Sequence, residues 1–139
     1  MDVTRAQATA DLARGEQAAG RIRNESRWFA RYLAVFAAGF GVLTLVLGLV
    51  DPLWLRLTVS GVLWFPLVIG MVVWAVRQRA WPDGAGRRAL PGWIGTGVLY
   101  GVALFVGTPA QLGNAAYWLP AAVVVVLPLG IAAWREWRR

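Results

Sequence analysis

The sequence predicts an all-α membrane protein, a bundle of four transmembrane helices preceded by an N-terminal helix. Of its 139 residues, 58% are apolar and 15% are charged, and the mean hydropathy is +0.54. These values are typical of a membrane protein and not of a soluble domain. Four stretches are apolar enough and long enough to cross about 30 Å of hydrocarbon. They are residues 32–50, 53–76, 91–108 and 115–134.

Residues 1–31 are predicted to form a cytoplasmic or interfacial helical leader, and residues 32–139 the transmembrane domain. The leader has scattered charges and no apolar core of the kind that a cleavable signal peptide requires. Its alanine-rich sequence favours a helix, weakened by Gly15 and Gly20. Two placements remain open. The leader is either solvated or lies along the inner membrane surface, with one ridge formed by Arg23, Arg27 and Arg31.

The first span ends at Asp51-Pro52. We expect Asp51 to be the N-cap of the second helix and Pro52 to be its first residue. The only charge in the second span is Arg56, about one turn from the start of that span. Its aliphatic stem is long enough to carry the guanidinium to the headgroups, so it need not be buried. Trp64 lies in mid-span and is predicted to pack inside the bundle or against acyl chains.

The third span opens with Pro91-Gly92-Trp93 and is the shortest of the four. We expect it to span the membrane nevertheless, because 139 residues cannot enclose such an apolar helix in a soluble protein.

Two prolines at mid-depth, Pro66 in span two and Pro128 in span four, predict helix kinks. Each removes a backbone donor and frees a carbonyl, at about Val62 and Val124 respectively. The freed carbonyls either line a small cavity or accept hydrogen bonds from neighbouring side chains. The candidate donors are Thr44, Thr96 and Tyr100.

The placement of arginine predicts the orientation, because short loops rich in basic residues stay in the cytoplasm. Only Arg56 lies on one side of the predicted spans. Thirteen arginines lie on the other side: Arg5, Arg14, Arg21, Arg23, Arg27, Arg31, Arg77, Arg79, Arg87, Arg88, Arg135, Arg138 and Arg139. We therefore expect a multi-pass protein of the bacterial cytoplasmic membrane with both termini in the cytoplasm. Tryptophans are expected at both interfaces: Trp28, Trp74, Trp93 and Trp134 at the inner one, Trp54 and Trp118 at the outer one.

The first and third spans share a short pattern. Gly39-Phe-Gly41-Val-Leu recurs 56 residues later as Gly95-Thr-Gly97-Val-Leu. This recurrence suggests two tandem helical hairpins related by an axis along the membrane normal. A chance match in a chain rich in glycine, valine and leucine is the alternative.

Small side chains mark helix contacts in a bilayer, because close backbone approach replaces hydrophobic exclusion there. We define a helix-packing seam on span one, together with a Gly-x-x-x-Gly pair on span three. The seam predicts packing either within the monomer or across a dimer interface. Its residues are Ala30, Ala34, Ala37, Gly41, Thr44 and Gly48, and the pair is Gly97 and Gly101.

The composition excludes many reactions. The chain has no histidine and no cysteine, and this argues against a Ser-His-Asp triad, a thiol nucleophile and the usual zinc sites. No acidic side chain lies at the centre of a span, which argues against a proton relay or a cation-coupled carrier. We therefore expect no catalytic, cofactor or metal site.

Arginines between spans two and three are candidates for contact with anionic lipid headgroups. The other interpretation is that membrane topology alone requires them. Nucleic acid is not an expected partner, because the basic loops are short and lie against the bilayer. The four candidates are Arg77, Arg79, Arg87 and Arg88.

Three short motifs carry a family resemblance: Arg27-Trp-Phe-Ala-Arg-Tyr32, Trp74-Ala-Val-Arg-Gln-Arg79 and Tyr117-Trp-Leu-Pro120. With them, the chain resembles small uncharacterised four-helix membrane proteins of actinobacteria, a group with no assigned activity. The exclusive use of arginine over lysine also suggests a high-G+C bacterial genome. The resemblance implies the membrane topology and supplies no functional site.

Two hypotheses follow for the function. The first is a non-enzymatic integral membrane protein that acts as a structural or regulatory subunit through transmembrane helix packing, as a homo-oligomer or within a larger membrane complex. The second is a small homo-oligomeric transporter or channel. Solute flux in proteoliposomes would favour the second, and a stoichiometric partner after mild solubilisation would favour the first.

Overall fold

The computed structural model describes residues 2–78 and 84–138, which are helical apart from short connections. Four helices follow one another: α1 Asp2–Leu49, α2 Leu53–Arg77, α3 Ala85–Ala110 and α4 Ala115–Trp137. Each contains a segment that could span a membrane, namely Arg27–Leu49, Leu53–Arg77, Ala85–Thr108 and Ala115–Trp137. This confirms, for the described residues, the prediction of an all-helical chain in which four helices are long and apolar enough to cross a membrane.

Helix α1 runs through the predicted leader and the first span without a break. Gly15 and Gly20 both lie within it, and a Cβ at either position would meet open space. A glycine costs a helix about 1 kcal/mol, whereas an internal proline costs about 3 kcal/mol. The sequence before Asp51 contains no proline. The position of the leader relative to a membrane surface stays a prediction.

The beginnings of two helices differ from the predictions. Pro52, and not Asp51, is the N-cap of α2, and Asp51 makes no capping hydrogen bond. Helix α3 begins at Ala85, so Pro91 lies inside it. Before α3, Gly84 has a φ of 71°, a left-handed conformation that glycine adopts without steric cost. The apolar pattern missed this first part of α3 because its arginines were assigned to a loop.

Helix α1 lies at the centre of the fold and contacts the three other helices. Its closest packing is with α4, and α3 also packs on α4. Among the described elements, the backbone of α2 lies close to that of α1 alone. One face of α1 carries aromatic residues toward α2 and α3, and the small-residue face lies against α4. This division lets α4 approach α1 closely while large rings fill the wider gaps on the other side.

Aromatic pairs join α1 to its two other neighbours. The rings of Phe40 and Trp64 of α2 have centroids 4.9 Å apart, and those of Phe36 and Trp93 of α3 are 5.0 Å apart. Such edge-to-face pairs stabilise a contact by about 0.5–1.5 kcal/mol beyond the area they bury. Trp64 therefore packs inside the bundle, as predicted. Trp28 and Trp74 pair in the same way, at 5.8 Å.

Candidate functional site

The helix-packing seam of α1 lies largely against α4. A Cβ at Gly41 would lie 2.7 Å from Cγ2 of Val126, and Gly48 lies against the indole of Trp118. Ala30, Ala37 and Thr44 are buried, whereas Ala34 is exposed. The Thr44 hydroxyl donates to the carbonyl of Phe40 in its own helix, at 2.7 Å, and so it serves no proline-freed carbonyl. The small residues let the two backbones approach closely.

Trp118 joins α1, α3 and α4 at one end of the bundle. It is fully buried, so its indole packs inside the protein, and its depth in a membrane stays a prediction. Its Nε1 donates to the carbonyl of Gln111 at 2.7 Å, and its ring lies against Gly48 and Gly107. In the same region the N–H of Gly113 donates to the carbonyl of Gly48, at 2.8 Å. The α3–α4 connection therefore caps the C-terminal end of α1.

Arg56 is buried within the protein, although its position in the sequence did not require burial. Its side chain is only 8% exposed and lies 3.7 Å from the Asp51 carboxylate. Its Nε donates to the carbonyl of Val50 at 2.9 Å. The last carbonyls of a helix lack partners in that helix and favour a nearby cation. Arg56 supplies that cation at the end of α1, and its charge is therefore retained inside the fold.

Helices α3 and α4 cross closely at two glycines of α3. A Cβ at Gly92 would lie 3.0 Å from Cβ of Ala132, and one at Gly95 would lie 3.0 Å from Cβ of Pro128. One turn away, the Thr96 hydroxyl donates to the carbonyl of Val125 at 3.1 Å. Thr96 thus donates a hydrogen bond beside Pro128, but its acceptor is the carbonyl of Val125 and not the predicted carbonyl of Val124.

The predicted proline sites differ in their surroundings. Pro66 lies inside α2 and Pro128 inside α4. Pro66 is exposed, whereas Pro128 is half-buried against α3. Tyr100, the third candidate donor, packs its ring on Phe40 with centroids 5.5 Å apart.

Gly97 and Gly101 point away from the rest of the chain. Both are exposed, and a Cβ at either would meet no atom within 4 Å. Gly41, the counterpart of Gly97 in the predicted repeat, is buried against α4. The interpretation of the pair as packing within the monomer is therefore wrong for the described chain. The duplication itself stays a prediction.

The four headgroup candidates do not share one environment. Arg77 and Arg87 are exposed, and Arg79 lies outside the described residues. Arg88 lies on α3, and its Nε donates to Oε1 of Glu136 on α4 at 3.0 Å. This ion pair was not predicted from the sequence. The available signal was the acidic residue itself, because a carboxylate within an apolar helix requires a partner.

A cavity of about 380 Å³ lies beside this ion pair, between the ends of α3 and α4. Its lining combines the charged groups with apolar groups from the close helix crossing. The charged side chains in the lining are Arg88, Arg135 and Glu136, and the lining also includes Gly92 and Pro128. Glu136 is buried, whereas Arg135 is exposed. The arrangement is suited to bind an anion, since it contains two guanidiniums and one carboxylate.

Two other arginines near this end lie over tryptophan rings. The guanidinium carbon of Arg138 is 3.8 Å from the centroid of Trp134, and that of Arg31 is 5.8 Å from the centroid of Trp137. Cation–π contacts of this kind stabilise by about 0.5–1 kcal/mol at exposed sites. They hold positive charge beside indoles, a combination typical of a membrane interface.

A search of protein-family models, of curated proteins and of solved structures found no match to this chain.

Proposed function

We propose that this protein is a non-enzymatic subunit of the bacterial cytoplasmic membrane that acts, in a structural or regulatory role, through transmembrane helix packing. The packing surface is the outward face of α3 that carries Gly97 and Gly101. Its partner is a second copy of the same chain. The single observation that supports this proposal is that both glycines are exposed and meet no other part of the chain within the described residues.

The chemistry of this face suits helix association in lipid. Acyl chains are as apolar as leucine, so helices associate where small residues permit close backbone contact. Val98 and Val102 follow the two glycines and are also exposed. Valine has one strongly preferred rotamer in a helix, and it therefore loses little side-chain freedom when a second helix packs on it. The valine side chains on this face are therefore ordered before association, and the two glycines leave the shallow surface that a Gly-x-x-x-Gly contact requires.

The other close-packed glycines already have partners within the chain. Gly41, Gly48 and Gly107 each face a neighbouring helix so closely that a side chain would force a neighbour to move. Gly92 and Gly95 face α4 at a distance that would make a Cβ contact tight. Gly97 and Gly101 have no such internal reason to be glycine. Close packing against another chain would explain why both positions carry a glycine.

The proposed orientation places both termini in the cytoplasm. Arg77 ends α2, Arg87 and Arg88 lie in the first turn of α3, and Arg135 lies in the last turn of α4. Short basic segments stay on the cytoplasmic side of a bilayer. The end of the bundle that carries these arginines is therefore proposed to face the cytoplasm.

Self-association in lipid vesicles tests this proposal, with Gly97→Ile as the disruptive variant and Gly70→Ile as its matched control. Gly70 lies exposed on α2 and also faces open space. Förster transfer between labelled copies is expected to show a dimer for the unaltered chain. Loss of about 1–2 kcal/mol of packing raises its dissociation constant about tenfold in Gly97→Ile. Gly70→Ile should change it less than twofold.

The absence of cysteine allows an independent measurement by single-cysteine cross-linking. Val98→Cys should give a disulfide-linked dimer under oxidation in vesicles, whereas Val72→Cys on the exposed face of α2 should not. A chain that stays monomeric at every protein-to-lipid ratio, or equal behaviour of the two isoleucine variants, would refute self-association through α3. The alternative of a transporter or channel stays a prediction from the sequence, which solute flux in proteoliposomes tests directly.

A further inference from the structure

We propose that the cavity between the ends of α3 and α4 binds the phosphate of an anionic lipid headgroup. Arg135 is the principal ligand, and Glu136 acts as a positioning residue that orients Arg88 toward the same cavity. This site is separate from the outward face of α3, so it does not depend on the proposed self-association.

The close crossing of α3 and α4 explains why a cavity forms there. At Gly92, a Cβ would lie 3.0 Å from Cβ of Ala132 and 3.2 Å from the carbonyl oxygen of Pro128. The two backbones therefore lie close together at this level. Toward the arginine-rich end the helices leave a space of about 380 Å³ between them. A phosphate group and its ester oxygens can enter this space.

The charges in the lining leave the cavity positive. The Arg88–Glu136 pair is 3.0 Å long, and the Glu136 side chain is only 5% exposed. This carboxylate offsets one of the two guanidiniums, which leaves the charge of Arg135 uncompensated. Over the described ranges, no carboxylate lies within ion-pair distance of Arg135. A guanidinium matches phosphate geometry with two parallel hydrogen bonds, and this makes arginine the usual residue for phosphate recognition.

The apolar part of the lining favours a lipid over a soluble anion. Pro128, Ile131 and Ala132 form part of the wall, and they provide no hydrogen-bonding side chain for a hydrated ion. The exposed indoles of Trp134 and Trp137 lie on the same terminal turns of α4. Tryptophan and arginine together are typical of headgroup depth, and basic pockets between transmembrane helices bind anionic headgroups.

Native mass spectrometry of the full-length chain in detergent provides the test, with phosphatidylglycerol and phosphatidylcholine of identical acyl chains as probes. The variant is Arg135→Gln, and its matched control is Arg87→Gln. Both arginines are exposed and both substitutions remove one positive charge, but only Arg135 lines the cavity. We expect the unaltered chain to prefer phosphatidylglycerol. Arg135→Gln should weaken that binding about fivefold and Arg87→Gln less than twofold.

Three results would overturn the proposal. The first is equal retention of the two lipids by the unaltered chain. The second is an equal loss of phosphatidylglycerol in both variants, which would indicate general attraction to negative charge. The third is displacement of phosphatidylglycerol by millimolar inorganic phosphate, with Arg135→Gln weakening both anions alike, because the site would then belong to a soluble phosphate.

Discussion

Replacing Gly107 by alanine is expected to destabilise the bundle, although alanine is the better helix former. A Cβ at this position would lie 2.5 Å and 2.6 Å from two ring carbons of Trp118, and 2.6 Å from Cε1 of Tyr117. Carbon atoms pack best at about 3.5–4.0 Å, so both rings would have to move by about 1 Å. Neither ring is free to move. Trp118 donates to the carbonyl of Gln111 at 2.7 Å, and Tyr117 donates to that of Ala103 at 3.0 Å.

Overpacking of this kind costs about 1–3 kcal/mol, and the gain in helix propensity offsets up to about 1 kcal/mol of it. The net loss of about 1–2 kcal/mol corresponds to a five- to thirtyfold shift in the unfolding equilibrium. Unfolding by sodium dodecyl sulfate in mixed micelles measures this shift. Gly70→Ala is the matched control, because its Cβ would meet nothing within 4 Å. If Gly107→Ala proves as stable as Gly70→Ala, the Trp118 contact does not constrain α3 and the reasoning fails.

Two further predictions concern buried polar contacts, each measured by the same titration. Arg56→Gln should cost about 1–2 kcal/mol because it removes a charge-assisted hydrogen bond at the end of α1, whereas the exposed Arg77→Gln should change stability by less than about 0.5 kcal/mol. Thr96→Val keeps the shape of the side chain but leaves the carbonyl of Val125 without that donor, and it should cost about 0.6–1.7 kcal/mol. Its control, Thr58→Val, removes only an exposed bond within α2 and should be near neutral. Equal losses in either variant and its control would contradict these assignments.

The sequence predicted the number and approximate bounds of the spans because the cost of burying charge in hydrocarbon acts on each segment separately. The same rule did not predict two features, the beginning of α3 and the burial of Arg56. Arg87 and Arg88 were assigned to a loop, although their long side chains allow the backbone beneath them to continue as helix α3. The buried position of Arg56 was not predicted, because its partner is a carbonyl of a different helix.

The candidate site was likewise predicted in part. The spacing of small residues marked a packing seam on α1, and α4 does pack against most of it. The spacing did not distinguish Gly41 from Gly97, which occupy matching places in Gly-x-Gly-Val-Leu. One is buried against Val126, and the other faces open space. A small residue permits the close approach of another helix, but it does not determine which helix packs against it.

By itself, the sequence determined that the chain is a set of apolar helices with its basic residues gathered at one end. Those properties follow from the transfer of each segment from water to hydrocarbon, and a segment carries them whatever its neighbours are. Only the tertiary structure decided that α4 covers the seam of α1, that Trp118 is enclosed by three helices, and that Arg88 meets Glu136. These contacts join residues distant in the chain, and their energies depend on distances of a few ångströms that arise when the helices pack.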